Sequence, residues 1–238
     1  FVFLALECAL RLRYVNRPST SSVSPVSPVS SVIASVSSLP DFDPRLVPVV
    51  GVDAHLPAVS GDQQTPQSLR ARFAHPPVWE PEVVLEKKFM DREPAHASVL
   101  LAIVMREQPM VLLTERTAHL STHSGQVAFP GGRADPEDPT PADTALREAQ
   151  EEVGLAPEFV EVLGNLATYV TGSSFIITPV VALVKPDCVL TPNPYEVADI
   201  FEVPLAFLLD PANHRRHVFD RDGVHREWFS MPYQNGAK

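Results

Sequence analysis

Residues 131–155 read Gly-Gly-Arg-Ala-Asp-Pro-Glu-Asp-Pro-Thr-Pro-Ala-Asp-Thr-Ala-Leu-Arg-Glu-Ala-Gln-Glu-Glu-Val-Gly-Leu. A glycine pair opens a loop, and a capped helix follows. Thr140 is a good N-cap, Pro141 suits the first helical position, and Asp143 sits where a capping-box acid would. Gly154 suits a left-handed stop after the last turn. At about 100° per residue, Ala142, Ala145, Leu146, Ala149 and Val153 fall on one narrow arc, which is the face to be buried. Glu148, Glu151 and Glu152 lie on the adjoining arc, three and four residues apart.

That arrangement is electrostatically poor on its own. Like charges at these spacings repel by roughly 0.2–0.5 kcal/mol per pair. Acids in a final turn also oppose the helix dipole, at about 0.3–1 kcal/mol each. Arg147 offsets part of this. A divalent cation would reverse the balance, and an all-oxygen donor set suits Mg2+ or Mn2+. Most Glu-rich helices are solvated acidic faces; the adverse placement and the preceding Gly-Gly argue for a metal–pyrophosphate site here.

The stretch resembles the Nudix box, whose usual form is Gly, five residues, Glu, seven residues, then Arg-Glu-apolar-x-Glu-Glu-x-Gly-apolar. Its second half is matched by Arg147, Glu148, Ala149, Glu151, Glu152, Gly154 and Leu155. The first half departs. Counting from Gly132, the acidic position falls on Asp138 rather than Glu, and eight residues then precede Arg147. The role of Asp138 is therefore left open.

A second motif lies upstream. Residues 112–132 read Leu-Leu-Thr-Glu-Arg-Thr-Ala-His-Leu-Ser-Thr-His-Ser-Gly-Gln-Val-Ala-Phe-Pro-Gly-Gly. They are similar to the extra signature of one Nudix branch, the coenzyme A pyrophosphatases. Asn193-Pro194-Tyr195-Glu196-Val197 and Val203-Pro204-Leu205 fit the same branch. Together these matches cover roughly residues 98–210, the core of one domain.

The resemblance implies an α/β fold: a Nudix-type α/β/α sandwich with a mixed β-sheet, the box helix lining a cleft. It also implies hydrolysis of the pyrophosphate bond of coenzyme A or acyl-coenzyme A. The products would be adenosine 3′,5′-bisphosphate and (acyl-)4′-phosphopantetheine. Glu148 and Glu152 would be the main Mg2+ or Mn2+ ligands, with Glu151 a third ligand or the base for water, and Arg147 would orient the carboxylates. Arg116, His123, Gln126, Gly131 and Gly132 are the substrate-binding candidates. A planar guanidinium suits phosphate oxygens, which favours Arg116. His123 and Gln126 are equally explained as loop scaffold, and the glycines by backbone geometry and close approach of a phosphate. Glu196 is a candidate fourth carboxylate or general base, or an acid at a helix N-terminus. The alternatives kept open are a Nudix hydrolase of another nucleoside diphosphate derivative such as ADP-ribose, a non-catalytic nucleotide-binding module, and a fragment that cannot fold.

Composition bounds the rest. The chain has 238 residues, ample for one core. Net charge is 19 − 29 = −10. No basic run or basic–aromatic alternation of the nucleic-acid-binding kind is present, so the expected partner is a small molecule, with no nucleic acid and no membrane. Oligomeric state is left open. Cys8 and Cys188 do not make a disulfide framework, so a reducing, cytoplasmic setting is the expectation. Cys188 reads as a bystander thiol.

Three regions are expected: a low-complexity N-terminal segment (1–40), an extension with a short helix (41–84), and the hydrolase domain (85–238). The chain opens on Phe1, and its apolar first ten residues are too short to span a bilayer. Residues 18–39 are Ser/Pro/Val-rich, as in a linker. This composition is consistent with a truncated or mis-started reading frame. Thr65-Pro66 caps a helix running to about Phe73. Strands are expected at Ala97–Met105 and Met110–Thr114, and β-rich runs at Phe159–Val170 and Phe175–Val184. A short helix is expected over Leu205–Leu209, and a hairpin about Arg221-Asp222-Gly223. The hydrolase domain is expected to lack a C-terminal helix, which would leave apolar surface exposed.

Overall fold

A computed structural model describes residues 46–76, 93–118, 125–171, 174–221 and 224–234. Its centre is a pair of long parallel strands. β2 (Ala95–Met105) runs beside β8 (Phe175–Val184), in register from Ala95–Phe175 to Val104–Val184. Both are apolar almost throughout, because both faces of the sheet are covered. Leu100, Ala102 and Val104 of β2 face one side, and Leu101 and Ile103 the other.

The neighbours of this pair are antiparallel, so the sheet is mixed. β3 (Pro109–Arg116) pairs with the C-terminal end of β2. β4 (Val127–Ala128) pairs with β3, and β5 (Gly131–Arg133) pairs with the N-terminal half of β2. β6 (Val160–Asn165) and β7 (Tyr169–Val170) line the far edge of β8. β9 (Val197–Pro204) lies on β3. One edge of β2 is thus shared between β3 and β5, and the sheet forks there.

Helices cover both faces. α1 spans Pro66–Ala74 and α2 spans Pro141–Val153. α3 is the single turn Leu205–Leu208. Ala145, Ala149 and Val153 of α2 pack with Leu100, Leu112, Val180 and Val184. On the opposite face, Leu69 of α1 and Leu205 and Leu208 of α3 pack with Leu101, Val111 and Val181. This is the expected α/β/α sandwich. A second sheet joins β1 (Val49–Val52), β10 (Arg215–Arg221) and β11 (Val224–Ser230), all antiparallel.

Three details differ from the sequence reading. The Gly131–Gly132 pair lies in a strand rather than a loop, held against β2 by the pairs Ser98–Gly132 and Val99–Gly131. The β-rich run after α2 is broken: a 3-10 turn at Pro157–Phe159 precedes β6, and residues 166–168 separate β6 from β7. Leu166 N–H then bonds Pro179 O at 2.9 Å. Glu196 does not start a helix; it sits in the turn before β9. After β11, Met231 and Tyr233 pack on the core, with Tyr233 5.2 Å from the Phe207 ring. Among the described residues, no helix is long and apolar enough to cross a membrane.

Candidate active site

α2 begins and ends where its caps dictate. Thr140 Oγ1 accepts Asp143 N–H at 3.3 Å, and Pro141 fills the first helical position. Gly154, at φ +68°, turns the chain so that its N–H meets Gln150 O at 3.0 Å. The last two carbonyls of the helix are taken by the loop that follows. Thr191 N–H bonds Val153 O at 2.9 Å, and Asn193 N–H bonds Glu152 O at 2.8 Å. The loop before β9 is thereby fastened to the end of the glutamate helix.

Glu152 lies at the fork of the sheet. Its residue is 3% exposed. Its Oε2 accepts Gly131 N–H at 3.1 Å, and its Oε1 lies 3.6 Å from Arg116 Nη1. Burial pushes this carboxyl up to about 7; Gly131 and Arg116 pull it down, and Glu148 and Glu196 push it up further. Glu148 is also raised, first by burial and then by Glu151 and Glu196, against the pull of Arg147.

The glycines are required by close approach. A Cβ on Gly131 would collide with Ser98 O and Val99 Cα of β2. A Cβ on Gly132 would collide with the Glu148 carboxylate. The close neighbours at these two positions are therefore β2 and Glu148, and the Gly131 N–H is already taken by Glu152.

Arg147 gathers acids. Its Nη1 donates to Glu148 Oε1 at 2.9 Å and to Glu151 Oε2 at 3.2 Å. Its Nη2 donates to Arg133 O and to Asp138 Oδ2, both at 2.9 Å, and its Nε donates to Asp138 Oδ1 at 3.1 Å. Asp138, whose role the sequence left open, is the two-toothed partner of this arginine. Arg147 and the Asp135 N–H together draw its carboxyl down to about 2. The longer loop reaches α2 because Asp138 N–H closes a turn on Asp135 O at 3.0 Å.

Arg116 and Glu196 arrive together. Arg116 N–H bonds Gln126 O at 2.9 Å, and its carbonyl accepts Gly125 N–H at 3.1 Å, which extends the β3–β4 pairing. A register shift at Glu115/Arg116 pairs Arg116 with Val197, and Thr117 N–H bonds Glu196 O at 3.0 Å. The Glu196 charge is felt at both Glu148 and Glu152. Among the described residues, Arg116 Nε is buried without a hydrogen-bond partner, which costs about 1–3 kcal/mol when left unmet. Gln126 itself is exposed. His123 lies outside the described residues. Cys188 is a free thiol whose pKa is raised mainly by burial.

Glu148, Glu151, Glu152 and Glu196 thus share one end of α2 with the guanidiniums of Arg116 and Arg147. The excess of carboxylates over guanidiniums here and the all-oxygen donors fit a divalent cation. Among the described residues, no three acidic, His or Cys side chains surround a common point. The reason is visible: Arg147 holds Glu148 and Glu151, while Gly131 holds Glu152. The fit therefore lies in charge and donor type.

Residues 94–224 match the NUDIX domain, more than half of the chain. The chain belongs to the Nudix family. Two relatives named "Uncharacterized Nudix hydrolase NudL" are close in sequence. That of Photorhabdus laumondii is 48% identical over 135 residues, covering 56% of this chain and 72% of its own length. That of Yersinia enterocolitica is 47% identical over 136 residues, covering 57% and 70%. A solved structure, the Nudix hydrolase RenU from M. smegmatis, is 29% identical, with a TM-score of 0.38 over 48% of this chain and 71% of that one. Family membership makes the chain a hydrolase of pyrophosphate-containing substrates, a class that generally uses divalent cations.

Sequence reasoning named Asn193 only as part of a motif and passed over Thr191, whose N–H groups bind the two last carbonyls of α2. The available signal was Asn-Pro, a turn starter; Asn193 Oδ1 accepts Tyr195 N–H at 3.1 Å. Thr191 carried no such signal.

Proposed function

We propose that this protein hydrolyses the pyrophosphate bond of coenzyme A or acyl-coenzyme A. Water adds across the P–O–P bridge, giving adenosine 3′,5′-bisphosphate and (acyl-)4′-phosphopantetheine. One observation carries the reading. The Leu112–Gly132 and Asn193–Val197 segments, which bear the branch resemblance, meet the glutamate helix at one spot: Arg116 stands 3.6 Å from Glu152, Gly131 bonds Glu152, and Asn193 bonds the Glu152 carbonyl.

Mg2+ or Mn2+ is the fitting cation; when bound it would neutralise charge on the phosphate oxygens and lower the pKa of a water. Glu148 and Glu152 would hold it. Glu151, the most exposed of the three, would serve as a further ligand or take the proton from water, and Glu196 is the other candidate base. Arg147 orients Glu148 and Glu151. Arg116 would take a phosphate oxygen, with Gln126, His123, Gly131 and Gly132 shaping the substrate's seat. Most of the acceleration would come from positioning and electrostatics.

A substrate panel tests this. Turnover of coenzyme A should exceed that of ADP-ribose and dinucleoside polyphosphates; equal or reversed preference overturns the branch assignment. Glu152→Gln keeps volume and removes a charge. Loss of a neighbour that merely supports a metal ligand costs 10–100-fold, so loss of a ligand should lower kcat by about a hundredfold or more. Mass spectrometry of products made in 18O-labelled water locates the attacked phosphorus, and release of inorganic phosphate alone would require different chemistry.

A further inference from the structure

Arg116 has an incomplete bonding pattern. Its Nη1 is 3.6 Å from Glu152 Oε1, too long for a hydrogen bond. Its Nε is buried and has no hydrogen-bond partner among the described residues. Its backbone, by contrast, is fixed on both sides, to Gln126 O and Gly125 N–H. The guanidinium is therefore a fork of donors on a firm strand end, near an acid it does not grip. Glu152 cannot turn to water for compensation, being 3% exposed.

We propose that Arg116 is a shared counter-charge. It balances Glu152 until a divalent cation takes that carboxylate, and it is then released to an anionic phosphate group of the substrate. Cation and anion binding are thereby positively coupled through one side chain, and the coupling is reciprocal. The inference rests on the site being a cation-dependent phosphate site, and it does not depend on which nucleotide derivative is cleaved. It also explains the geometry: an arginine firmly bonded to Glu152 would be slow to leave, and one farther off would leave the acid uncompensated.

The test reads metal binding, with no substrate and no turnover. Mn2+ is titrated into the full chain and followed by the electron paramagnetic resonance of the free ion. Buffers at about pH 8, above the Glu152 value of about 7, and of equal ionic strength contain either chloride or sulfate, which stands in for a phosphate group. A protein-free titration removes the weak sulfate complex of the ion itself. Arg116→Gln should bind Mn2+ about tenfold more tightly than the wild type in chloride, within the roughly 5–150-fold range of inter-site couplings. The wild type should bind Mn2+ more tightly in sulfate than in chloride, and the Gln variant should not distinguish them. Arg116→Lys keeps the charge and should hold the wild-type Kd within about twofold, a size that ordinary surface changes also reach.

A purely structural arginine predicts the opposite sign, looser Mn2+ binding on removal. A folded Gln variant with an equal or higher Kd overturns the proposal. So does a Lys variant that tightens as much as Gln, or a wild type indifferent to sulfate. Were Arg116→Gln not to fold, the wild-type sulfate comparison decides alone. Failure of the coenzyme A panel leaves these results untouched, and failure here leaves the panel standing.

Discussion

At Glu152 burial and neighbouring charge compete, and burial wins: the carboxyl rises from 4.5 to about 7. Between those values the folded chain holds a proton that the unfolded chain has released. Stability then falls as pH rises, since the unfolded state binds fewer protons there. The contribution is intact below the unfolded value and lost once pH passes about 7. Glu148 shifts in the same direction. Asp138 shifts the other way, from 3.8 to about 2; its stabilisation is complete above its unfolded value and lost only as pH falls towards 2, so it does not tilt this window. In EDTA, the thermal midpoint should therefore drop between about pH 5 and about pH 7, within the span of the Glu152 shift. Glu152→Gln, which cannot ionise, should flatten that drop. A Gln variant with the wild-type slope would assign the pH dependence to another group.

At the scale of elements, the end of α2 governs how the acids are grouped. Gly154 holds φ +68°, and a Cβ there would stand 3.3 Å from Thr191 N and O. Gly154→Ala should cost about 1–2 kcal/mol for the left-handed backbone alone, with crowding against Thr191 added. Urea denaturation reads this, and Gly61→Ala, where a Cβ meets nothing within 4 Å, is the control. Equal midpoints for the two variants would mean that the loop yields freely. This helix was almost fully legible in the sequence, because Thr140, Pro141 and Gly154 act locally and the apolar arc is periodic. β2, β3 and β8 were legible for a related reason: long apolar runs need no partner to be recognised. The short strands were not. β4, β5 and β7 have two or three residues each and exist because a neighbouring edge is free, which no local pattern encodes. Gly131-Gly132 looked like a loop for this reason. In the site, the grouping of Glu148, Glu151 and Glu152 at the end of α2 was readable from spacing, and the place of Arg147 beside them came from the Nudix resemblance. The grip of Asp138 on Arg147 and the Asn193 and Thr191 bonds depend on tertiary closure and were not.

For the molecule as a whole, residues 46–76 pack on the elements that follow them. β1 pairs with β10, and Arg216 Nη2 reaches Asp53 at 3.2 Å. α1 lies against β6: Phe73 stands where a Cβ on Gly164 would meet its ring at 3.0 Å, and Arg70 grips Glu161 through two 2.7 Å bonds. That exposed ion pair is worth little by itself. Leu69 matters more, because it is buried in the cluster with Leu101, Val181 and Leu205, on the face opposite the glutamate helix. Leu69→Ala should destabilise by about 2–5 kcal/mol through lost burial and a residual cavity. At roughly 2–4 °C per kcal/mol for a domain of this size, the thermal midpoint should fall by on the order of 5–15 °C. The sheet stands between Leu69 and Glu152, so below the new midpoint Mn2+ affinity should be unchanged within about twofold, as additivity of distant sites requires. A midpoint within about 1 °C of the wild type would mean that α1 rests on the sheet without supporting it. A large loss of Mn2+ affinity in the folded variant would mean that the two faces communicate through β2 and β8.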